Sequence, residues 1–135
     1  MAFAYTLTAT IPATPRQVYD AWLSSRAHGA MTGGAAKMSA RKGARVSAWD
    51  GYITGRNLEL EPGRRIVQSW RTTKFAASDP DSEIELLLAP AKTGTRLTLR
   101  HRNVPDGHTS YRDGGWRDFY FIPMKEYFAA RKKRR

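Results

Sequence analysis

Phe3, Tyr5, Leu7, Ala9 and Ile11 alternate with Ala4, Thr6, Thr8 and Thr10. That period-two pattern predicts a strand with one buried face, ended by Pro12. Thr14-Pro15-Arg16-Gln17 then marks a helix start: Thr14 can cap, proline suits the first helical position, and Gln17 completes a capping box. Val18, Tyr19, Trp22 and Leu23 form the apolar stripe of that helix, which fades near Ser24-Ser25. Arg26-Ala27-His28-Gly29 predicts one further short turn, with Gly29 supplying the left-handed closure.

Past the glycine loop Met31-Thr32-Gly33-Gly34-Ala35, strands are expected at about 36–40 and 45–49, separated by a turn at Lys42-Gly43. The glycine spacing matches neither a P-loop nor a dinucleotide fingerprint, so the loop reads as one that needs special backbone angles. Asp50-Gly51 signals a hairpin. A long ribbon follows. Leu58 and Leu60 alternate with Asn57, Glu59 and Glu61, while Ile66, Gln68 and Trp70 oppose Val67, Ser69 and Arg71. Glu61-Pro62-Gly63-Arg64 joins its two arms, because proline presets a negative φ and glycine accepts a positive one. Two more strands carry Ile84, Leu86 and Leu88, then Leu97, Leu99 and His101. From Trp116 to Ala130 the period becomes helical through Trp116, Tyr120, Met124 and Tyr127, with a kink expected at Pro123. Phe119, Phe121, Ile122 and Phe128 make that stripe too wide for a one-sided surface helix. It predicts a rod lying against the concave face of a curved sheet. The whole reads as one α+β domain over 1–130 with a basic tail at 131–135.

Charge alters this picture only at the surface. Lys and Arg number 23 against 12 Asp and Glu, a formal balance of +11. Such a surplus favours acidic partners, whether nucleic acid, anionic lipid or an acidic protein face, without choosing among them. No nucleic-acid motif is present, so nucleic acid is not the expected partner. The chain has no cysteine, which excludes disulfides, thiol catalysis and thiolate metal sites and suits a reducing cytosol. Met1 to Thr8 lacks the basic start and apolar block of a signal peptide, and no apolar run has bilayer-spanning length. A soluble cytoplasmic protein is expected.

Four stretches carry a resemblance: Ala21-Trp22-Leu23, Met31-Thr32-Gly33-Gly34-Ala35-Ala36, Trp49-Asp50-Gly51-Tyr52-Ile53-Thr54-Gly55 and Ile66-Val67-Gln68-Ser69-Trp70-Arg71. Gly94-Thr95-Arg96-Leu97-Thr98-Leu99-Arg100-His101 and Gly115-Trp116 before Tyr120 extend it. In this order they resemble the Hsp90-ATPase-activator homologue (AHSA1) family. The resemblance implies the START-like helix-grip fold (Bet v 1-like, SRPBCC): a curved antiparallel sheet around a long carboxy-terminal helix, two short helices after the first strand, and a cavity between. Relatives of this fold include lipid carriers, hormone receptors and polyketide cyclases, so fold alone does not assign an activity. In the eukaryotic co-chaperone a separate domain that also engages Hsp90 precedes this one. Nothing ahead of Phe3 is expected to supply it here.

The expected ligand cavity is lined by Trp49, Trp70, Leu86, Leu99, His101, Trp116 and Tyr120, and it suits a small hydrophobic or amphipathic molecule. The same rings also read as a plain aromatic core. His101 shares a face with Leu97 and Leu99; it either bonds a ligand or acts as an acid or base, or it is held by a tyrosine or a backbone carbonyl. Arg96, Arg100 and Arg102, extended by Arg71, form an outward basic face that suits an acidic protein such as a chaperone. His28 and His108 lie in apparent loops, and no histidine pair has metal-ligand spacing, so neither metal nor cofactor is expected. With no nucleophile–base pair in view, a non-enzymatic binding module leads. A co-chaperone-like module and a cyclase- or hydrolase-type enzyme using His101 are the alternatives.

Overall fold

A computed structural model describes residues 2–133. Six strands form one antiparallel sheet: β1 (Phe3–Ile11), β2 (Arg45–Ala48), β3 (Ile53–Glu61), β4 (Arg65–Thr72), β5 (Ser82–Ala91) and β6 (Gly94–Val104). Their spatial order is β1-β6-β5-β4-β3-β2, so the chain's first strand closes one edge beside its last. The sheet is curved. Register follows the alternation in the sequence. Leu7 pairs with Leu99, Leu99 with Leu86 and Leu86 with Ile66, which puts a continuous apolar row on the inner face.

Helix α1 (Pro15–Trp22) begins where the sequence indicated. Thr14 Oγ1 accepts the Gln17 N–H at 3.1 Å and Gln17 Oε1 accepts the Thr14 N–H at 2.8 Å. Helix α2 is longer than one turn: it runs Ser25–Thr32 and is capped by Ser24. Gly33 at φ 89°, not Gly29, supplies the left-handed closure.

The strand expected at 36–40 reduces to a single antiparallel bridge between Lys37 and Ser47. Instead of a strand partner, the carbonyls of Ser39 and Arg41 are held by the Asn57 amide at 2.7 and 3.0 Å, so the segment turns away from β2. Between β2 and β3 the positive φ values fall on Trp49 (53°) and Asp50 (58°) as well as Gly51. For a bulky ring this is a strained conformation that its surroundings must hold in place.

The carboxy-terminal rod starts earlier than its hydrophobic period implied. It makes wide π-type turns over Tyr111–Gly115, where Gly114 at φ 156° breaks the helix with a kink, and over Arg117–Phe121, then is α-helical as α3 (Ile122–Lys133). Trp116, Tyr120, Met124 and Phe128 are all buried, spaced four apart. On an ideal 3.6-residue helix that spacing drifts about 40° per step; the π turn over Arg117–Phe121 widens the step between Trp116 and Tyr120. Pro123, which has no N–H to give, sits at the second residue of α3, where the wide ladder gives way to the ordinary one. Arg131, Lys132 and Lys133 continue α3, while Arg134 and Arg135 lie outside the described residues.

Candidate functional site

Between sheet and rod, the rings expected to line a chamber meet one another. Trp70 lies 4.7 Å from His101 and 5.6 Å from Trp116 between ring centroids, and Trp116 lies 5.1 Å from Tyr120. Leu86 and Leu99 pair directly beneath, both buried. The space between Trp22, Gln68, Trp70 and Tyr120 amounts to about 10 Å³, the room of roughly one water. A molecule carried here has to displace one of these rings. Trp49 sits at the edge of that cluster, its indole nitrogen toward the Tyr120 hydroxyl. It is half-buried at the rim, over Gly34 and 5.7 Å from the Phe119 ring.

His101 is 0 % exposed, and its partners assign its protons. Ser82 has one hydroxyl proton and gives it to the Trp70 carbonyl at 2.5 Å. It must therefore accept from His101 Nε2 at 2.9 Å. Nδ1 is then the acceptor, and it takes the Tyr5 hydroxyl at 2.8 Å and the Trp116 indole N–H at 3.2 Å. Trp116 also donates to the Tyr5 oxygen at 2.9 Å. The result is a one-way chain from indole to phenol to imidazole to serine to carbonyl. Ser82 beside His101 looks like a nucleophile and its base, but the proton runs the wrong way for activation. Burial pushes the His101 pKa down to about 3, so the ring is neutral at physiological pH, with both nitrogens engaged. The tyrosine that holds it is Tyr5, and no ring position is left for acid–base work on a substrate.

His28, read from sequence as a loop residue, lies on α2 and is equally buried. Its Nδ1–H donates to the Trp22 carbonyl at 2.9 Å, so Nε2 accepts the Tyr120 hydroxyl at 3.0 Å. Burial lowers its pKa to about 4 against a small opposing effect of the Trp22 carbonyl, and burial also raises the Tyr120 phenol. From Trp22 the chain continues: Nε1–H to Gln68 Oε1 at 3.1 Å, Gln68 Nε2–H to Asn57 Oδ1 at 2.9 Å, then Asn57 to the 39–41 loop. Neither His28, Gln68, Asn57 nor Ser82 was singled out from sequence as a site residue. The inward placement of Gln68 between Ile66 and Trp70 was the available signal, since a buried amide requires partners.

At the rim, the glycine loop and the β2–β3 turn prove to be one construction. Asp50 Oδ1 accepts the Ala35 N–H at 3.0 Å, and the Asp50 N–H donates to the Ala35 carbonyl at 3.0 Å. A Cβ on Gly34 would come within 2.8 Å of the Trp49 ring, so only glycine lets that ring settle there. Trp49 Nε1 is buried without a well-formed hydrogen bond, though close enough to the Tyr120 hydroxyl to act on it.

On the outer face, Arg71, Arg100 and Arg102 point outward as expected but are not free. Arg71 pairs with Asp81 at 2.6 Å, Arg102 with Glu83 at 2.6 Å, and Arg100 and Arg102 both reach Glu85 at 3.7 and 3.1 Å. Arg65 adds a 2.6 Å bond to the same carboxylate. Burial alone would raise the Glu85 carboxyl, but the bonds from Arg65 and Arg102 outweigh it and lower its pKa. Of the four expected basic-face residues, only Arg96 has no acid among the described residues. Nor do those residues include a group of three or more side chains able to hold a metal, or a helix long and apolar enough to cross a membrane.

A curved antiparallel sheet gripping a carboxy-terminal helix is the START-like helix-grip class. Residues 12–129 match the family described as Activator of Hsp90 ATPase homolog 1-like protein, and the chain belongs to that family. It is 25% identical over 123 residues to the Activator of 90 kDa heat shock protein ATPase homolog 1 of Homo sapiens, covering 91% of this chain and 36% of the relative. The mouse homolog 2 is 28% identical over 119 residues, 88% of this chain and 36% of that one. The chain thus spans about a third of these relatives. Among solved structures, an HSP90 activator from Plasmodium falciparum superposes with a TM-score of 0.84 at 18% identity, covering 94% and 96% of the two chains. A Chromobacterium violaceum protein gives 0.72 at 27% identity, covering 91% and 94%.

Proposed function

We propose that this domain is a chaperone-related protein-docking module that works through its outer surface. The observation that carries this reading is the close ring packing between sheet and rod, with about 10 Å³ open beside Trp22, Gln68, Trp70 and Tyr120 where a carrier needs a chamber of a few hundred. Both interior histidines are neutral and fully bonded, which also supports a structural role for them over catalysis. Membership of the Hsp90-activator family, with Hsp90 activators among the relatives, supports an Hsp90-type chaperone as the partner.

The surface offers a matching contact. Phe119 is 49% exposed and Ile122 42%, one helical turn apart on the rod, and Phe119 stacks edge-on against the strained Trp49. Exposed aromatic and aliphatic side chains on a rigid ledge are the usual anchors of protein interfaces. The test is fluorescence anisotropy of the labelled chain against purified Hsp90 from the same host. Saturable binding is expected, and Phe119→Asp with Ile122→Asp should weaken it at least tenfold while leaving the thermal midpoint within a few degrees. No binding by the unmodified chain at tens of micromolar Hsp90 overturns the reading.

A further inference from the structure

A broad open groove of about 1140 Å³ lies on the outside of the molecule, bounded by α1, α2, the β5–β6 turn and the last turns of α3. Its floor mixes apolar Ala13, Ala21, Ala27, Tyr127 and Phe128 with the polar side chains of Thr14, Gln17 and Ser24. Its rim is basic, with exposed Lys92 on the β5–β6 turn and exposed Arg131 and Lys132 on α3. No acid among the described residues pairs with any of the three. Arg131 rests over the Tyr127 ring at 5.2 Å, and the groove's own carboxylate, Asp20, is taken by Arg16 at 3.0 Å.

We infer that this groove docks an acidic amphipathic helix of a partner protein, apolar side chains on the apolar part of the floor and carboxylates toward Lys92, Arg131 and Lys132. Three observations favour that occupant. Positive charge at a helix carboxy terminus is ordinary, because it offsets the helix dipole. Lys92, however, comes from a different element, so the cationic rim is shared between two elements of the fold. The volume exceeds the roughly 300–1,000 Å³ of small-molecule sites, which enclose most of their ligand, and this groove is open. Two turns of a helix about 11 Å across occupy roughly 1,000 Å³, which fits. The inference shares with the docking reading only the class of partner, and it concerns a separate surface from the Phe119 ledge.

The test uses a synthetic helix of about 15 residues, leucine at i, i+3, i+4 and i+7 and glutamate elsewhere, titrated into the isotope-labelled chain. Expected are salt-sensitive amide shifts at Ala21, Ala27, Tyr127 and Phe128, and a loss of affinity of at least tenfold in Lys92→Glu/Arg131→Glu/Lys132→Glu. A control reversal of equal charge, Lys37→Glu/Arg41→Glu/Arg45→Glu, should change affinity less than twofold. Equal binding of a lysine-bearing version of the peptide, shifts elsewhere, or indifference to the groove reversal overturns the inference. So does a response to dodecyl phosphate with none to the peptide, which would make the site one for small amphipathic anions. If Hsp90 fails to bind but the peptide behaves as expected, only the chaperone reading falls.

Discussion

The two interior histidines solve the same problem by opposite means. Each is fully buried and neutral, and each accepts a hydrogen bond from a tyrosine hydroxyl. His101 accepts at Nδ1 and donates from Nε2; His28 does the reverse. Around His101 the acceptor side has two donors, Tyr5 and Trp116, but the donor side has only Ser82. Around His28 each nitrogen has a single partner, and the chain runs on through Trp22, Gln68 and Asn57 to the 39–41 loop. One cluster locks the rod to the sheet's β1–β6 edge. The other ties rod, helix pair and far loop into one polar thread. Redundancy is therefore local, and it predicts which deletions matter.

The largest effect expected is on pH. Both folded pKa values lie below the ordinary 6.5, at about 3 for His101 and about 4 for His28. Between those values and 6.5 the unfolded chain binds protons that the fold refuses, so stability falls as pH drops. The slope is about 1.4 kcal/mol per pH unit per histidine, hence roughly 2 kcal/mol each between pH 6.5 and 5. Urea midpoints across that window check it, and His101→Gln or His28→Gln should each remove about half the slope. A flat profile would mean that both rings are charged or solvated in the fold, and half the slope that one of them is.

Next in size are the single-partner contacts. Tyr120→Phe leaves His28 Nε2 without a donor, and Ser82→Ala leaves the His101 Nε2–H without an acceptor. Each should cost about 1–3 kcal/mol in urea unfolding, the penalty of an unsatisfied buried group. A cost near zero for either would show that water reaches the orphaned nitrogen.

The fold was legible wherever a face alternated cleanly. The Leu97-Leu99-His101 row put His101 inside, and the Thr14 capping box set the start of α1. What stayed hidden depended on contacts distant in sequence. His28 reads as a loop residue because α2 has little apolar periodicity of its own; it is buried by Trp22 and Tyr120, 92 positions away in the latter case. The 36–40 strand shrinks to the Lys37–Ser47 bridge, while Asn57, 16 to 18 positions later, binds the carbonyls of Ser39 and Arg41. Arg71, Arg100 and Arg102 were correctly placed outward, yet alternation says nothing about the acids opposite. Only the register brings Glu83 beside Arg102 and Glu85 beside Arg100.

The smallest effect separates the two clusters most sharply. Tyr5→Phe removes the main donor to His101 Nδ1 and the oxygen that Trp116 Nε1 favours. Those two orphans face each other: the indole N–H already stands 3.2 Å from Nδ1, within reach of a direct bond. No polar atom is left unpaired, so the cost should stay near one ordinary hydrogen bond, about 0.5–1 kcal/mol, well below Tyr120→Phe. The same urea series reads both. If Tyr5→Phe cost as much as Tyr120→Phe, the tryptophan would not be a second donor, and His101 would be held as singly as His28.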